Sequence, residues 1–310
     1  MNIKYFQNSF DQFYFLIKEI ETALTIKVRA GVPFKIAGAL LFGSMARGSD
    51  VRDSDIDLLV MAEGINPKRQ RRGKEIGLLK SLLPPLPMDI LLLTREEVQS
   101  NFRNHNPLFL DIAEEGVMVI DDDNFLKNLM AETRSYIRQR GIQRFGDGWI
   151  YLVKKGGIFQ LSRVSNKDFS EAMLKDAQRD LEVGTKLIEA EYHDKAVYHF
   201  QQSVEKSVKA VLIAKGIFQK THFVGNVLRR MISEGEVPQG LETEILELAS
   251  ISESIEPEVS LSRYPGIIDD SLWLPFEEYR KEDSSEGEEK ARRALQLSKK
   301  FFENWFGVDS

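Results

Sequence analysis

The chain has 310 residues, 42% of them hydrophobic, with no cysteine, four histidines and a formal net charge of -6. Without thiols it can hold no disulfide, no thiolate-bound metal and no cysteine nucleophile, and four histidines are few for a zinc site. The length exceeds what one hydrophobic core usually serves, so two domains are expected; no apolar run reaches the roughly 18 residues that span a bilayer and the N-terminus lacks a signal-peptide pattern, so a cytoplasmic protein with no membrane partner is expected.

Phe6, Phe10, Phe13, Ile17 and Ile20 recur at helical spacing and predict an opening amphipathic helix whose aromatic stripe is core. The apolar run from Ala37 to Phe42 reads as a buried strand. It ends at Gly43-Ser44, whose backbone and hydroxyl can approach an anion closely. In Asp55-Ile56-Asp57-Leu58-Leu59-Val60 the side chains alternate across a strand, so Asp55 and Asp57 share one face, roughly 6.5 Å apart along the chain, while Ile56 and Leu58 go to the core. Two carboxylates on one face repel each other and are costly to bury ionised unless a divalent cation neutralises them. Hard oxygen ligands point to Mg²⁺ or Mn²⁺, with substrate phosphates and waters filling the remaining positions.

Pro67 to Leu83 reads as a helix with Lys68-Arg69-Gln70-Arg71-Arg72 exposed on its first turns. Cations at a helix start oppose the dipole, so the cluster is not there for stability; a solvated face is the simplest reading and contact with phosphate or RNA the sharper one. Pro84-Pro85-Leu86-Pro87 breaks that helix, and Met88 to Leu93 reads as a third strand with Asp89 among apolar neighbours. Beside the first two acids, Asp89 would act as general base towards an incoming hydroxyl or join a second metal site. Thr94-Arg95-Glu96-Glu97 has the form of a capping box opening another helix, and Val117 to Ile120 reads as a fourth strand. Strands alternating with helices give an α/β (α+β) domain with a small mixed sheet.

Gly43-Ser44, ten further residues, Asp55-Ile56-Asp57 and the later hydrophobic-Asp-hydrophobic at Asp89 together resemble the minimal nucleotidyltransferases of the DNA polymerase β superfamily, across about residues 1–124. The resemblance implies that Gly43 and Ser44 contact a nucleoside triphosphate, that Asp55 and Asp57 bind metal, and that Asp89 completes the catalytic and metal-binding set. Arg47 matches the basic residue that often follows the turn, and Ser49 and Arg52 fall near phosphate. The plain alternative is a glycine turn, a serine capping a helix and two acids on a solvent-facing strand edge. An inactive nucleotide-binding relative is a third reading.

Residues 1–165 carry 23 Lys and Arg against 20 Asp and Glu, near +3, and residues 166–310 carry 19 against 28, near -9. Residues 125–165, read as a connecting helix and an extended segment, hold eight basic side chains (Lys127, Arg134, Arg138, Arg140, Arg144, Lys154, Lys155, Arg163) and two acidic ones. Docking onto the acidic half is their simplest use. From 166 the pattern turns helical: Leu174, Ala177, Leu181, Gly184 and Ile188 on one helix, Val197, Phe200, Val204, Val208 and Val211 on the next, with Glu205 and Lys209 as an i,i+4 pair. A helix follows from Leu241 to about Glu256. Lys281 to Glu288 reads as a mobile loop or helix approach, and Ala291 to Trp305 as the last helix.

This half, through Tyr192 to Lys206, His222 and Arg263-Tyr264-Pro265, resembles the HEPN domains found with minimal nucleotidyltransferases. That implies an all-α up-and-down helical bundle over residues 166–310 that often dimerises, and in some members a ribonuclease with Arg and His four to six residues apart on a late helix. Here Arg292 and Arg293 have no histidine after them, so RNA cleavage by that arrangement is not expected. His193, His199 and His222 read as packed or exposed histidines, with a cleft as the sharper use; Tyr192, Tyr198 and Tyr264 read as packing residues, with a hydroxyl that accepts a nucleotide as the sharper use.

The expectation is therefore a two-domain nucleotidyltransferase that transfers a nucleoside monophosphate, with ATP as the first candidate donor, to a hydroxyl on a protein, a small molecule or an RNA end. The HEPN-like half would bind acceptor or nucleotide and form a homodimer, in a setting related to toxin–antitoxin pairs. The alternative is a non-catalytic nucleotide- or RNA-binding module.

Overall fold

The strands of the first half read as almost continuous apolar runs because both faces of their sheet are covered. In the computed structural model, which describes residues 10–28, 31–47, 55–161, 164–235, 237–238, 240–268 and 270–307, the chain divides into two compact units, Met1–Arg140 and Gly141–Ser310. Phe6, Arg163 and the side chains of Phe10 and Phe13 lie outside the described residues.

In the first unit, α1 (Phe10–Thr22) passes through a π-helical turn (Ala23–Val28) to β1 (Lys35–Phe42), a single turn α2 (Gly43–Ala46), β2 (Ile56–Glu63), α3 (Gly73–Leu82) and β3 (Met88–Leu93). Then come α4 (Arg95–Arg103), α5 (Pro107–Glu115), β4 (Val117–Asp121) and α6 (Phe125–Arg140). The sheet order is β3-β2-β1-β4, with β2 and β3 parallel and β1 antiparallel to both its neighbours, so the sheet is mixed as expected. Leu16, Ile20, Leu24 and Leu79 pack on the face made by Ile56, Leu58, Val60, Ile90 and Leu92. Phe102, Phe109, Ile112, Leu126 and Leu129 pack on the face made by Leu40, Phe42, Leu59, Met61 and Leu93. Each buried leucine or isoleucine contributes about 2 kcal/mol, so β2 is anchored on both sides and its start is a rigid platform.

The helix expected from Pro67 is a 3₁₀ turn (Arg69–Arg71) followed by α3 from Gly73. The cause is Arg72, which is buried rather than exposed. Its Nε donates to Asn66 O at 2.7 Å and its Nη1 to Leu92 O at 2.9 Å, while Nη1 and Nη2 grip the Glu97 carboxylate at 2.6 and 3.0 Å. These bonds fold residues 66–72 back on themselves and delay the helix. Glu97 also closes the capping box with Thr94, accepting from Thr94 N at 2.9 Å while Thr94 Oγ1 accepts from Glu97 N at 3.2 Å.

The second unit opens with two strands, β5 (Gln143–Phe145) and β6 (Gly148–Ile150), and continues with α7 (Asn166–Glu189), α8 (His193–Ala214), β7 (Ile217–Phe218), α9 (Gly225–Ser233) and α10 (Glu242–Ile255). A short α11 (Glu258–Leu261), the hairpin β8 (Gly266–Ile268) and β9 (Ser271–Trp273), α12 (Pro275–Glu278) and α13 (Lys281–Phe306) complete it. The segment 125–165 is thus divided: α6 packs within the first unit, and β5 pairs with β6, which pairs in turn with β7, in the second. α7, α8 and α13 enclose Phe200, fully buried between Gly184 and Gly287. Residues 281–288 are not a loop but the first two turns of α13. Arg280 N donates to Asp283 Oδ2 at 2.7 Å, and Glu282 and Asp283 sit where the helix dipole favours anions. Among the described residues no helix is long and apolar enough to cross a membrane.

Candidate active site

Antiparallel pairing brings the end of β1 to the start of β2, with Phe42 opposite Asp57. Parallel pairing puts Asp57 directly beside Asp89. A row across three strands therefore reads Phe42, Asp57, Asp89 on one sheet face. Neighbouring strands lie about 4.8 Å apart, and Asp55, two residues before Asp57, extends the same face by about 6.5 Å. Ile56 and Leu58 are buried on the other side, as the alternation required. Asp55 and Asp89 are exposed and Asp57 is half-buried.

Gly43 turns the chain off β1 with φ +79, a conformation that glycine adopts without strain. A Cβ there would overlap the Asp57 carboxylate, so the turn closes directly over this acid. Ser44 follows in the first turn of α2. It is not a helix cap: the N-cap is Phe42, without a side-chain bond, which removes the capping explanation for the serine. Ser49 and Arg52 lie outside the described residues, as do Gly48, Asp53 and Ser54. Arg47 ends α2 with its N–H donating to Gly43 O at 3.3 Å, and its Nη1 lies 3.0 Å from Oε2 of Glu115 on α5.

The structure thus assembles Gly43, Ser44, Asp55, Asp57 and Asp89 at one end of the sheet. Among the described residues no three His, Cys, Asp or Glu side chains close into a metal cage. An open face of carboxylates suits Mg²⁺, which keeps several waters and takes substrate phosphate oxygens rather than filling its shell from protein alone. Glu115 was missed from the sequence because nothing in its spacing links it to Arg47, 68 residues away.

In the helical unit each histidine named from the sequence has a side-chain partner. His193 Nδ1 lies 3.0 Å from Ser284 Oγ, His199 Nδ1 3.0 Å from Asp180, and His222 Nδ1 3.0 Å from both oxygens of Glu205. Burial pushes the Glu205 carboxyl up, but Lys209, His222 and Gln201 outweigh it and hold the group below the usual carboxylate range. The Glu205–Lys209 pair is present at 2.8 Å. Arg263 stacks over Tyr198 and Tyr264 at 5.1 and 4.9 Å. Arg293 makes two bonds to Glu247, at 2.6 and 2.7 Å, and Arg292 pairs with Glu288 one turn away. The two arginines of the late helix are engaged in ion pairs.

Residues 17–116 match the nucleotidyltransferase domain and residues 170–305 the HEPN domain. The chain is 37% identical over 143 residues to "Putative toxin MJ1304" of Methanocaldococcus jannaschii, spanning 46% of this chain and 94% of that protein. It is 31% identical over 101 residues to "Putative protein adenylyltransferase MJ1305" of the same organism, spanning 32% of this chain and 69% of that protein. Among solved structures it is similar to a nucleotidyltransferase-like protein from Exiguobacterium sibiricum, at 12% identity and a TM-score of 0.38, over 91% of this chain and 77% of the other.

Proposed function

Because the chain belongs to the nucleotidyltransferase family in its first part and to the HEPN family in its second, we propose that it transfers a nucleoside monophosphate from a triphosphate to a hydroxyl. The observation that carries this reading is the row of Asp57 and Asp89 in register, with Gly43 closed over Asp57.

The backbone of Gly43 and the hydroxyl of Ser44 bind phosphate, and Arg47 adds a cation to the same turn. Asp55, Asp57 and Asp89 would hold Mg²⁺ or Mn²⁺, which supplies charge neutralisation at the phosphates. Asp89, at the exposed edge of the row, accepts the proton of the incoming hydroxyl. The acceptor oxygen then bonds to the α-phosphorus as the bond to the leaving pyrophosphate breaks. ATP is the donor that the adenylyltransferase relative supports, and a protein hydroxyl is the acceptor class it supports. The HEPN unit binds acceptor or nucleotide and pairs with a second copy. Its link to a toxin relative supports a place in a toxin–antitoxin setting, with the fused transferase as the modifying half. Arg292 and Arg293 are tied to glutamates with no histidine after them, which argues against metal-free RNA cleavage on α13.

The test is incubation of the purified chain with Mg²⁺ and each α-labelled triphosphate, with and without cell extract, beside Asp55→Asn/Asp57→Asn. Label transfer and pyrophosphate release lost in the variant are expected. Triphosphate binding without transfer by the wild type would replace this reading with a binding module. Sedimentation of the same samples checks the homodimer.

A further inference from the structure

Lys68, Arg69, Arg71 and Lys74 place four exposed cations within seven residues. Among the described residues none of these side chains donates a hydrogen bond or closes an ion pair, and the nearest acid, Glu75, accepts instead from Asn66 N at 3.1 Å. Exposed cations of the second unit are treated otherwise: Arg229, Arg230, Arg293 and Lys300 each close on a carboxylate. Like charges this close repel one another, and those ahead of α3 also stand where the helix dipole disfavours them. The fold gains nothing from the cluster, yet the turn that carries it is pinned. Buried Arg72 ties it to Asn66 O, to Leu92 O and to the Glu97 carboxylate.

The turn lies where β2 and β3 end, whereas Asp57 and Asp89 stand where those strands begin, and the two ends of β2 are about 20 Å apart. The cluster therefore belongs to a different place from the candidate active site. None of its cations is buried, so they do not enclose a small anion; they spread positive charge over an open turn. Among the described residues no exposed large hydrophobic side chain falls between Ile26 and Leu152. Surfaces that enter lipid add apolar side chains to their cations, and surfaces that bind single strands add aromatic rings for the bases to stack on. Here only the charge for phosphate is present. We infer that residues 68–74 are a docking surface for the phosphate backbone of a nucleic-acid duplex, held by Lys68, Arg69, Arg71 and Lys74 without reading the bases. Because Arg72 already fixes the turn, the backbone is not ordered at the moment of binding. The inference stands on residues other than those of the proposed transfer.

The experiment is fluorescence anisotropy of a labelled RNA duplex of about 20 base pairs, and of the DNA duplex of the same sequence, titrated with the full chain at several salt concentrations. Four phosphate contacts give a slope of log affinity against log salt of about -3.6, which is a loss of about 150-fold between about 50 and 200 mM salt. Lys68→Ser/Arg69→Ser/Arg71→Ser should flatten the slope to about -0.9 with the melting temperature unchanged. Arg103→Ser/Lys127→Ser/Arg138→Ser, which removes three exposed cations elsewhere in the same unit, should keep the wild-type slope. The duplex bound more tightly identifies the source of the phosphates as RNA or DNA. No binding at low salt, a slope that the first variant leaves unchanged, or equal flattening by the second overturns the inference. So does tighter binding of phosphatidylcholine–phosphatidylserine vesicles than of either duplex through the same residues, which would make this a membrane surface. Asp55→Asn/Asp57→Asn should bind the duplex as the wild type does, so a failure of docking and a failure of the transfer reading are told apart.

Discussion

Gly43, at the head of α2, lies against Asp57 of β2 so closely that a Cβ on the glycine would overlap Oδ2 of the aspartate. This ties the conformation of the turn to the placement of the acid. Gly43→Ala should therefore act twice. The methyl displaces the Asp57 carboxylate, and alanine at φ +79 costs about 1–2 kcal/mol. The expected outcome is label transfer reduced at least as far as in Asp57→Asn, with the protein still folded by circular dichroism. Activity retained in a folded Gly43→Ala protein would show that Asp57 has another seat.

Much of this site was legible because its logic is local. Asp55 and Asp57 declare their shared face by alternation, and Gly43-Ser44 follows directly on an apolar strand. The pairing of Asp57 with Asp89 was less so, since register comes from the β2–β3 crossover rather than from spacing. Arg47–Glu115 and Arg72–Glu97 were invisible, because a side chain's long-range partner leaves no periodic trace. The small sheets of the second unit were missed for a different reason: strands of two or three residues are too short for alternation to register. At residues 281–288, polar composition outweighed the two acids that favour a helix start.

Arg72 shows what the basic cluster conceals. Four of the five residues from Lys68 to Arg72 are exposed, whereas Arg72 has 1% of its side chain exposed and holds Glu97 with two bonds. Arg72 is buried but Glu97 is 28% exposed at its side chain, and Arg72→Ala also strips Asn66 O and Leu92 O of a donor, so the variant should cost about 1–3 kcal/mol in urea unfolding. Arg69→Ser and Arg71→Ser should fall within about 0.5 kcal/mol of the wild type. An Arg72→Ala protein as stable as the wild type would mean that Glu97 finds another partner.

His105 gives the first unit a dependence on pH. It stacks on Tyr136 at 3.4 Å between ring centroids, and burial, then the Arg140 charge, push it down to about 4 from an ordinary 6.5. The folded-state value lies below the unfolded one, so between those limits the unfolded chain binds a proton that the folded chain refuses. The stabilisation is complete above pH 6.5 and is lost as pH falls to about 4. The protection factors of α6 amides, their exchange rates taken relative to the intrinsic rate at each pH, should therefore fall as pH drops across that range in the wild type and fall less in His105→Asn. Asparagine tolerates the positive φ of 48 at this position. Equal pH profiles in the two proteins would exclude His105 as the source.

Phe200 tests whether the helical unit depends on one close approach. Its ring is fully buried, a Cβ on Gly184 of α7 would overlap it, and one on Gly287 of α13 would come within 3.1 Å of its Cδ2. Two glycines from different helices thus make room for one aromatic side chain on a third. Gly184→Ala forces the ring off its rotamer or the helices apart, at about 1–3 kcal/mol, and Phe200→Ala leaves a cavity at about 3–5 kcal/mol. The two losses share one space, so they should not add. Phe200→Leu, a smaller side chain in the same slot, should relieve part of the Gly184→Ala penalty and give a positive coupling in the double-variant cycle. Strict additivity would mean that the Gly184→Ala penalty does not come from contact with the Phe200 ring.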